Sequence, residues 1–172
     1  MTQKFTSADT SINSAKLPKT FTFVKNWKPF SENLDYGGGK FDNATEYLAK
    51  FNVENFVYDP FNRTKEHNDK VLAHFQYGHG ADTITCNNVL NVIDSIEEIK
   101  KVISHCTQLL HPAGTAYFKI YEGDKSGQGK QTKQDCYQRN EKADAYIPLI
   151  QAVFAEVARH GDIIVASGPI AQ

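Results

Sequence analysis

Apolar positions along the chain fall into short runs separated by stretches in which they recur about every three to four residues. Residues 32–36 form an apolar-to-acidic run, and Phe56–Tyr58 and Thr83–Cys86 form two more. Thr115–Tyr121 is dense in β-branched and aromatic residues, and Asp162–Ala166 closes the pattern with Ile163, Ile164 and Val165. Each reads as a strand. Between them, Ala44, Tyr47, Leu48 and Phe51 repeat at helical spacing behind Asp42 or Asn43, either a good N-cap. Lys65–Phe75 carries Val71, Leu72 and Phe75 on one side, and Ile93, Ile96, Ile99, Val102, Ile103 and Leu109-Leu110 mark a long amphipathic helix starting near Asp94 or Ser95. Residues 143–158 read as the last helix. Strands alternating with helices predict an α/β, Rossmann-like chain with a mostly parallel central sheet flanked by helices. Phe21–Val24 alternates in the manner of a short edge strand, with Pro18 and Pro29 to either side, and residues 122–134, rich in Gly, Lys, Gln and Ser, read as a loop.

The first run ends in Asp35-Tyr36-Gly37-Gly38-Gly39 and the second in Asp59. Glycines directly after a strand let the backbone turn and approach a ligand, and an acid at the neighbouring strand tip can accept from ribose hydroxyls. Gly37 and Asp59 are 22 residues apart, close to the roughly 20 expected of a nucleoside-cofactor cradle. The nicotinamide form of that cradle is disfavoured, because Gly37-x-Gly39-x-x-Asp42 lacks the third glycine of the dinucleotide fingerprint.

A length of 172 residues with 40% apolar residues suits one domain, expected over residues 16–172 behind a flexible leader at 1–15. A formal net charge of −1 argues against attachment to nucleic acid or membrane by bulk charge, although Lys4, Lys16, Lys19, Lys25 and Lys28 face only Asp9 within the first 30 residues. Cys86, Cys106 and Cys136 are widely spaced with no paired motif, so neither a disulfide framework nor a zinc site is expected. No charged-then-apolar signal opens the chain and no apolar run approaches the ~20 residues that cross a bilayer, so a cytoplasmic protein without a membrane partner is expected.

Four segments stand in a telling order: Asp35-x-Gly37-x-Gly39, Asp59, the junction Thr85-Cys86-Asn87-Asn88-Val89-Leu90-Asn91-Val92-Ile93, and Leu109-Leu110-His111-Pro112-Ala113-Gly114-Thr115 before a strand. Together they resemble class I S-adenosylmethionine-dependent methyltransferases, over residues 32–121 and more loosely the final helix and strand. Within that superfamily the chain most resembles small phage-type and DNA-modification-associated methyltransferase-like proteins, through Asp35-Tyr36-Gly37, Asp59-Pro60 and Asn88–Ile93. The resemblance implies a minimal fold, shortened from the usual seven strands, since only 23 residues separate Asp59 from Asp82. It implies S-adenosylmethionine as cofactor, with Gly37, Gly38 and Gly39 passing close to its methionine moiety and Asp35 supporting its ammonium group. Asp59 would take the ribose hydroxyls, Pro60 and Phe61 would pack on the adenine, and Asn87 and Asn88 would face the methionine end. The usual third glycine is replaced by Phe41.

The implied activity is methyl transfer to an acceptor left open among nucleic acid, protein and small molecule, with no metal and no assigned catalytic residue. The alternatives are a cofactor-binding module without turnover, regulatory or partner-dependent, and a cofactor-degrading enzyme. A homo-oligomer or a protein partner also stays open. Tyr121, Glu122, Asp135 and Tyr137, at the tip of a strand and beside the glycine-rich loop, are the substrate-contact candidates. Gly127–Thr132 fails the spacing of a phosphate loop, and Asp59-Pro60-Phe61 lacks the second proline and the position of an amino-methyltransferase motif. His67 and His74 lie two turns apart without acidic or cysteine partners at ligand spacing, so they read as solvated helix residues.

Overall fold

The alternation along residues 33–36 decides the two faces of the central sheet. In the computed structural model of the chain, which describes residues 4–7 and 16–170, Leu34 and Tyr36 join the apolar core, while Asn33 and Asp35 are buried on the opposite face. The elements run α1 (Lys19–Phe23), β1 (Glu32–Tyr36), α2 (Asn43–Ala49), β2 (Glu54–Tyr58), α3 (Lys65–Tyr77) and β3 (Ala81–Asn87). After a 3-10 turn at Leu90–Val92 come α4 (Ile96–Leu109), β4 (Leu110–Lys119), β5 (Lys130–Lys133) and β6 (Cys136–Gln138). A second 3-10 turn at Ala143–Tyr146 leads to α5 (Ile147–Gln151), β7 (Phe154–His160) and β8 (Ile163–Pro169).

Six strands form one sheet in the order β2-β1-β3-β4-β8-β7, and β5 pairs with β6 in a separate hairpin. The first four are parallel, and β8 and β7 complete the sheet antiparallel. The fold is therefore α/β with a mostly parallel sheet flanked by helices. Parallel neighbours need crossovers, and α2, α3 and α4 supply them. Only α3 lies between β2 and β3, which leaves β2 at the sheet edge and accounts for the shortening that the spacing of Asp59 and Asp82 implied.

Helix α4 starts where Ser95 Oγ accepts from the Glu98 amide at 3.4 Å, and it covers the apolar face with Ile99, Val102, Ile103 and Cys106. On the other face, α1 and α2 contribute Phe21, Ala44 and Leu48 to a second cluster with Trp27 and Val53. Beneath them runs a row of buried polar contacts. Asn33 Nδ2 donates to Asn55 Oδ1 at 2.7 Å and to Thr85 Oγ1 at 3.1 Å, Thr83 Oγ1 donates to Asn33 Oδ1 at 2.7 Å, and Thr85 Oγ1 donates to Asp35 Oδ1 at 3.1 Å. Such pairing is what allows polar groups to be buried inside a sheet face, and it fixes the direction of the Asp35 carboxylate.

Three expectations are corrected. Residues 21–24 are not an edge strand: Lys19–Phe23 is helical behind Pro18, because one turn buries both Thr20 and Phe21 and lets Trp27 Nε1 donate to the Phe21 carbonyl at 3.0 Å. Residues 143–158 are not one helix. The helical part ends at Gln151, and Phe154–His160 pairs with β8, with His160 opposite Ile163 across the two-residue turn Gly161-Asp162. Gly161 takes a φ of +65° there, which suits a tight hairpin. The loop 122–134 also contains β5, whose Gln131 pairs with Tyr137 of β6. Of the expected leader, residues 4–7 lie against this hairpin: the Ser7 amide donates to the Asp135 carbonyl at 2.8 Å, and Phe5 stacks on Tyr137 with ring centroids 5.4 Å apart. The rest of the leader lies outside the described residues.

Candidate functional site

The three glycines after β1 have three different jobs. Gly37 extends the ladder, its amide donating to the Tyr58 carbonyl at 2.7 Å, and its φ of +75° with a would-be Cβ only 2.4 Å from Val89 Cγ2 leaves room for no side chain. At Gly38 a Cβ would lie 2.5 Å from Asp35 Oδ2. Gly39 also has positive φ, +76°, but a Cβ there would meet nothing within 4 Å. It borders open space, so the turn offers a bare backbone edge to a ligand.

That edge is pinned from β2. Asp59 Oδ2 accepts from the Gly39 amide at 2.9 Å, and Oδ1 accepts from the Phe61 and Asn62 amides, each at 2.9 Å, and from Asn62 Nδ2 at 3.2 Å. Arg63 closes the same junction: Nε donates to the Gly39 carbonyl at 2.8 Å, and Nη2 to the Phe41 carbonyl at 3.2 Å and Asp42 Oδ1 at 2.7 Å. Burial pushes the Asp35 carboxyl up to about 7, against the hydrogen bond from Thr85; the charge of Asp59 adds to the rise and Arg63 opposes it. The Asn87 amide is near enough to favour the charged carboxylate, yet Nδ2 falls short of hydrogen-bond geometry and is buried without a partner among the described residues. It is a neighbour of the carboxylate, not its donor.

Asn87 is held from the other side by Thr20, whose Oγ1 donates to Asn87 Oδ1 at 2.5 Å. Asn88 adopts φ +58°, its amide donates to the Lys119 carbonyl at 2.8 Å, and its Oδ1 accepts from Lys119 Nζ at 3.3 Å. All nine residues expected to face a cofactor, Asp35, Gly37, Gly38, Gly39, Asp59, Pro60, Phe61, Asn87 and Asn88, line one cavity of about 270 Å³ at the C-terminal ends of β1, β2 and β3. Thr6, Ser7 and Lys16–Pro18 border it too. These N-terminal residues, with Thr20, Asn62 and Arg63, were not singled out from the sequence, because their roles depend on contacts far along the chain.

The four substrate candidates separate. Tyr121 and Tyr137 line a second cavity of about 300 Å³, which meets the first at Asn88 and Val92. Glu122 borders neither cavity: its Oε1 accepts from the Ala143 amide at 2.8 Å, a bond that holds its carboxyl below the usual range together with Lys125 and Arg159. Asp135 is engaged by Thr6, whose amide donates to Oδ1 at 2.9 Å and whose hydroxyl donates to Oδ2. His67 Nε2 contacts the Val57 carbonyl at 2.7 Å and His74 Nε2 contacts Glu32 at 3.0 Å, so the two histidines serve separate places on β2 and β1.

A family model described as a methyltransferase domain matches residues 13–154. No curated protein matches the chain. Among solved structures, the fold is similar to that of the 1,6-didemethyltoxoflavin-N1-methyltransferase of Burkholderia thailandensis, solved with 1,6-didemethyltoxoflavin and S-adenosylhomocysteine: the TM-score is 0.61 at 15% identity, over 84% of this chain and 72% of that one. An S-adenosylmethionine-dependent methyltransferase of Clostridium acetobutylicum gives a TM-score of 0.55 at 13% identity, over 97% and 92%. A Haloferax volcanii protein solved with the Trm112 methyltransferase activator gives 0.58 at 11% identity, over 88% of each chain. At these identities the likeness is one of fold.

Proposed function

The chain belongs to the methyltransferase-domain family, and from that premise we propose that its first cavity binds S-adenosylmethionine and that the protein transfers the methyl group to an acceptor. The observation that carries this reading is the convergence of the nine cofactor-facing residues on one cavity at the strand ends.

The residues fit the group. A buried carboxylate at Asp35 and an unpartnered amide at Asn87 suit an amino-acid end bearing both ammonium and carboxylate. The open side of Gly39 gives the ligand close backbone contact. Phe61, 41% exposed beside Pro60, offers a face to a planar base. Asp59 has a narrower part than two ribose hydrogen bonds: Oδ1 already takes three donors and Oδ2 one, so one acceptor position remains, and Asn62 beside it is the neighbour for the second hydroxyl.

Bound there, S-adenosylmethionine supplies a methyl group activated by a sulfonium. The protein's contribution is to fix both ends of the cofactor and align an acceptor with it, since in-line displacement gains most of its rate from positioning. The likeness to phage-type proteins, carried by Asp35-Tyr36-Gly37, Asp59-Pro60 and Asn88–Ile93, and a cytoplasmic setting, supported by the free thiols of Cys86, Cys106 and Cys136, belong to the same reading. Incubation with methyl-labelled cofactor and fractionated acceptor pools tests it. Labelled product with matching S-adenosylhomocysteine is expected, whereas tight binding without turnover on any pool would support the binding module instead.

A further inference from the structure

The second cavity is lined by Asn88, Asn91, Val92, Tyr121, Thr132, Lys133, Cys136, Tyr137 and Gln138. The side-chain amides of Asn91 and Gln138 are already committed. Asn91 Nδ2 donates to Gln138 Oε1 at 3.0 Å, Asn91 Oδ1 accepts from the Tyr121 amide at 3.1 Å, and Gln138 Nε2 donates to the Tyr121 carbonyl at 2.9 Å. These bonds tie the cofactor-side 3-10 turn to β6 and fix the backbone of Tyr121. Tyr137 is fixed as well, stacked on Phe5 and with its hydroxyl so close to Gly129 that a Cβ there would lie 1.8 Å away.

Beside Thr132 and Cys136, the lining offers a ligand a pair of tyrosine rings and the Lys133 side chain. Lys133 has no ion-pair partner among the described residues, whereas Lys130 on the same strand is paired with Asp124 at 3.1 Å. Among the described residues, no histidine or carboxylate lines the cavity. Glu122 and Asp135, the nearest acids in sequence, are held by Ala143 and Thr6. A volume of about 300 Å³ lies at the small end of ligand sites, which run from ~300 to ~1,000 Å³.

We propose that this second cavity is the acceptor subsite and that it takes a small planar molecule whose methyl-accepting atom carries a negative charge, such as an ionised ring hydroxyl or ring nitrogen. The proposal rests on the cofactor reading above. Tyr121 and Tyr137 supply faces for a flat ring, and Lys133 supplies the charge complement that favours the anion and its encounter with the site. An acceptor that enters as its anion donates an electron pair to form the new bond to the methyl carbon, while the carbon–sulfur bond breaks and its own bonding pair stays on sulfur. One negative and one positive charge vanish together, and no proton has to be removed. A cavity without a general base is then sufficient.

The test uses the full chain saturated with S-adenosylhomocysteine and two flat probes of one shape, 4-nitrophenolate and neutral 4-nitroaniline, titrated at a pH where the first is ionised. The anion should bind saturably and at least about fivefold more tightly than the neutral probe. Lys133→Gln should abolish that ratio and Lys133→Arg restore it, while Tyr121→Ala should weaken both probes together. S-adenosylhomocysteine affinity should stay within about twofold in all three variants. Equal binding of the two probes, a ratio unchanged in Lys133→Gln, or no saturable binding to the loaded protein would overturn the proposal. Failure of wild type to take up S-adenosylhomocysteine would contradict the cofactor reading itself, and the acceptor role with it.

Discussion

The amide of Gly39 donates to Asp59 Oδ2 at 2.9 Å, so the turn after β1 and the tip of β2 form one hydrogen-bonded unit. Asp59 is a brace in its own right, whatever it offers a ligand. Asp59→Ala would release the amides of Gly39, Phe61 and Asn62 at once. It should lower the stability of the ligand-free protein by about 2–3 kcal/mol, read from urea denaturation, and weaken S-adenosylhomocysteine binding as well. Unchanged stability would mean that the brace contributes nothing.

The glycines should separate folding from binding. Gly37→Ala forces a Cβ against Val89 at positive φ and should destabilise the fold by more than the ~1–2 kcal/mol of left-handed strain alone. Gly39→Val meets open space in the free protein; its cost to folding is that strain, and its main effect should be a loss of at least about tenfold in ligand affinity. Thermal denaturation and calorimetry on both variants check the contrast.

Asp35 gives the site a pH dependence. Its carboxyl stands near 7 rather than at the ordinary 3.8, so the folded, ligand-free protein binds a proton that the unfolded chain gives up at lower pH. The stability from Asp35 is therefore fully present below about pH 3.8 and is lost as pH rises through about 7. A ligand ammonium favours the ionised form, so S-adenosylhomocysteine affinity should rise between about pH 6 and about pH 7.5, with a proton released on binding in the lower part of that window. Asp35→Asn should bind weakly and without this slope. Calorimetry in two buffers of different ionisation enthalpy reads the proton directly.

Thr20 links α1 to the site through Asn87. Thr20→Val should leave the part-buried Asn87 Oδ1 without its donor and cost about 1–2 kcal/mol of stability, with a several-fold weaker ligand affinity, and Thr20→Ser should recover both. Equal behaviour of the Val and Ser variants would assign the effect to packing rather than to the hydroxyl.

The parts of the fold that were legible in the sequence are those encoded locally. Asp35 with its glycines and Asp59 at the next strand end could be read because strand length and turn chemistry place them without reference to the rest of the chain, whereas the Asn87-Asn88 junction was read through the family resemblance. A helix starting near Asp94 or Ser95 and one helix between Asp59 and Asp82 were readable on the same local grounds, and the structure sets the first start at Ser95. The Phe154–His160 strand was missed although Gly161-Asp162 is a two-residue hairpin signal, because Ala155, Val157 and Ala158 also suit a helix and the deciding influence is pairing with β8. Phe21 was misassigned for a similar reason: burial against Trp27 outweighs local alternation. Arg63 carries no local signal at all. Its guanidinium matters only because the fold brings it to the carbonyls of Gly39 and Phe41. The separation of Tyr121 and Tyr137 from Glu122 and Asp135 likewise follows from where the β5–β6 hairpin and residues 6–7 meet.

Calorimetric titration of the purified protein with S-adenosylhomocysteine, run beside Gly39→Val, tests the central claim most directly. Saturable binding at one site per chain, lost or weakened at least about tenfold in the folded variant, is the predicted result. A folded wild-type protein that takes up neither S-adenosylhomocysteine nor S-adenosylmethionine would contradict it.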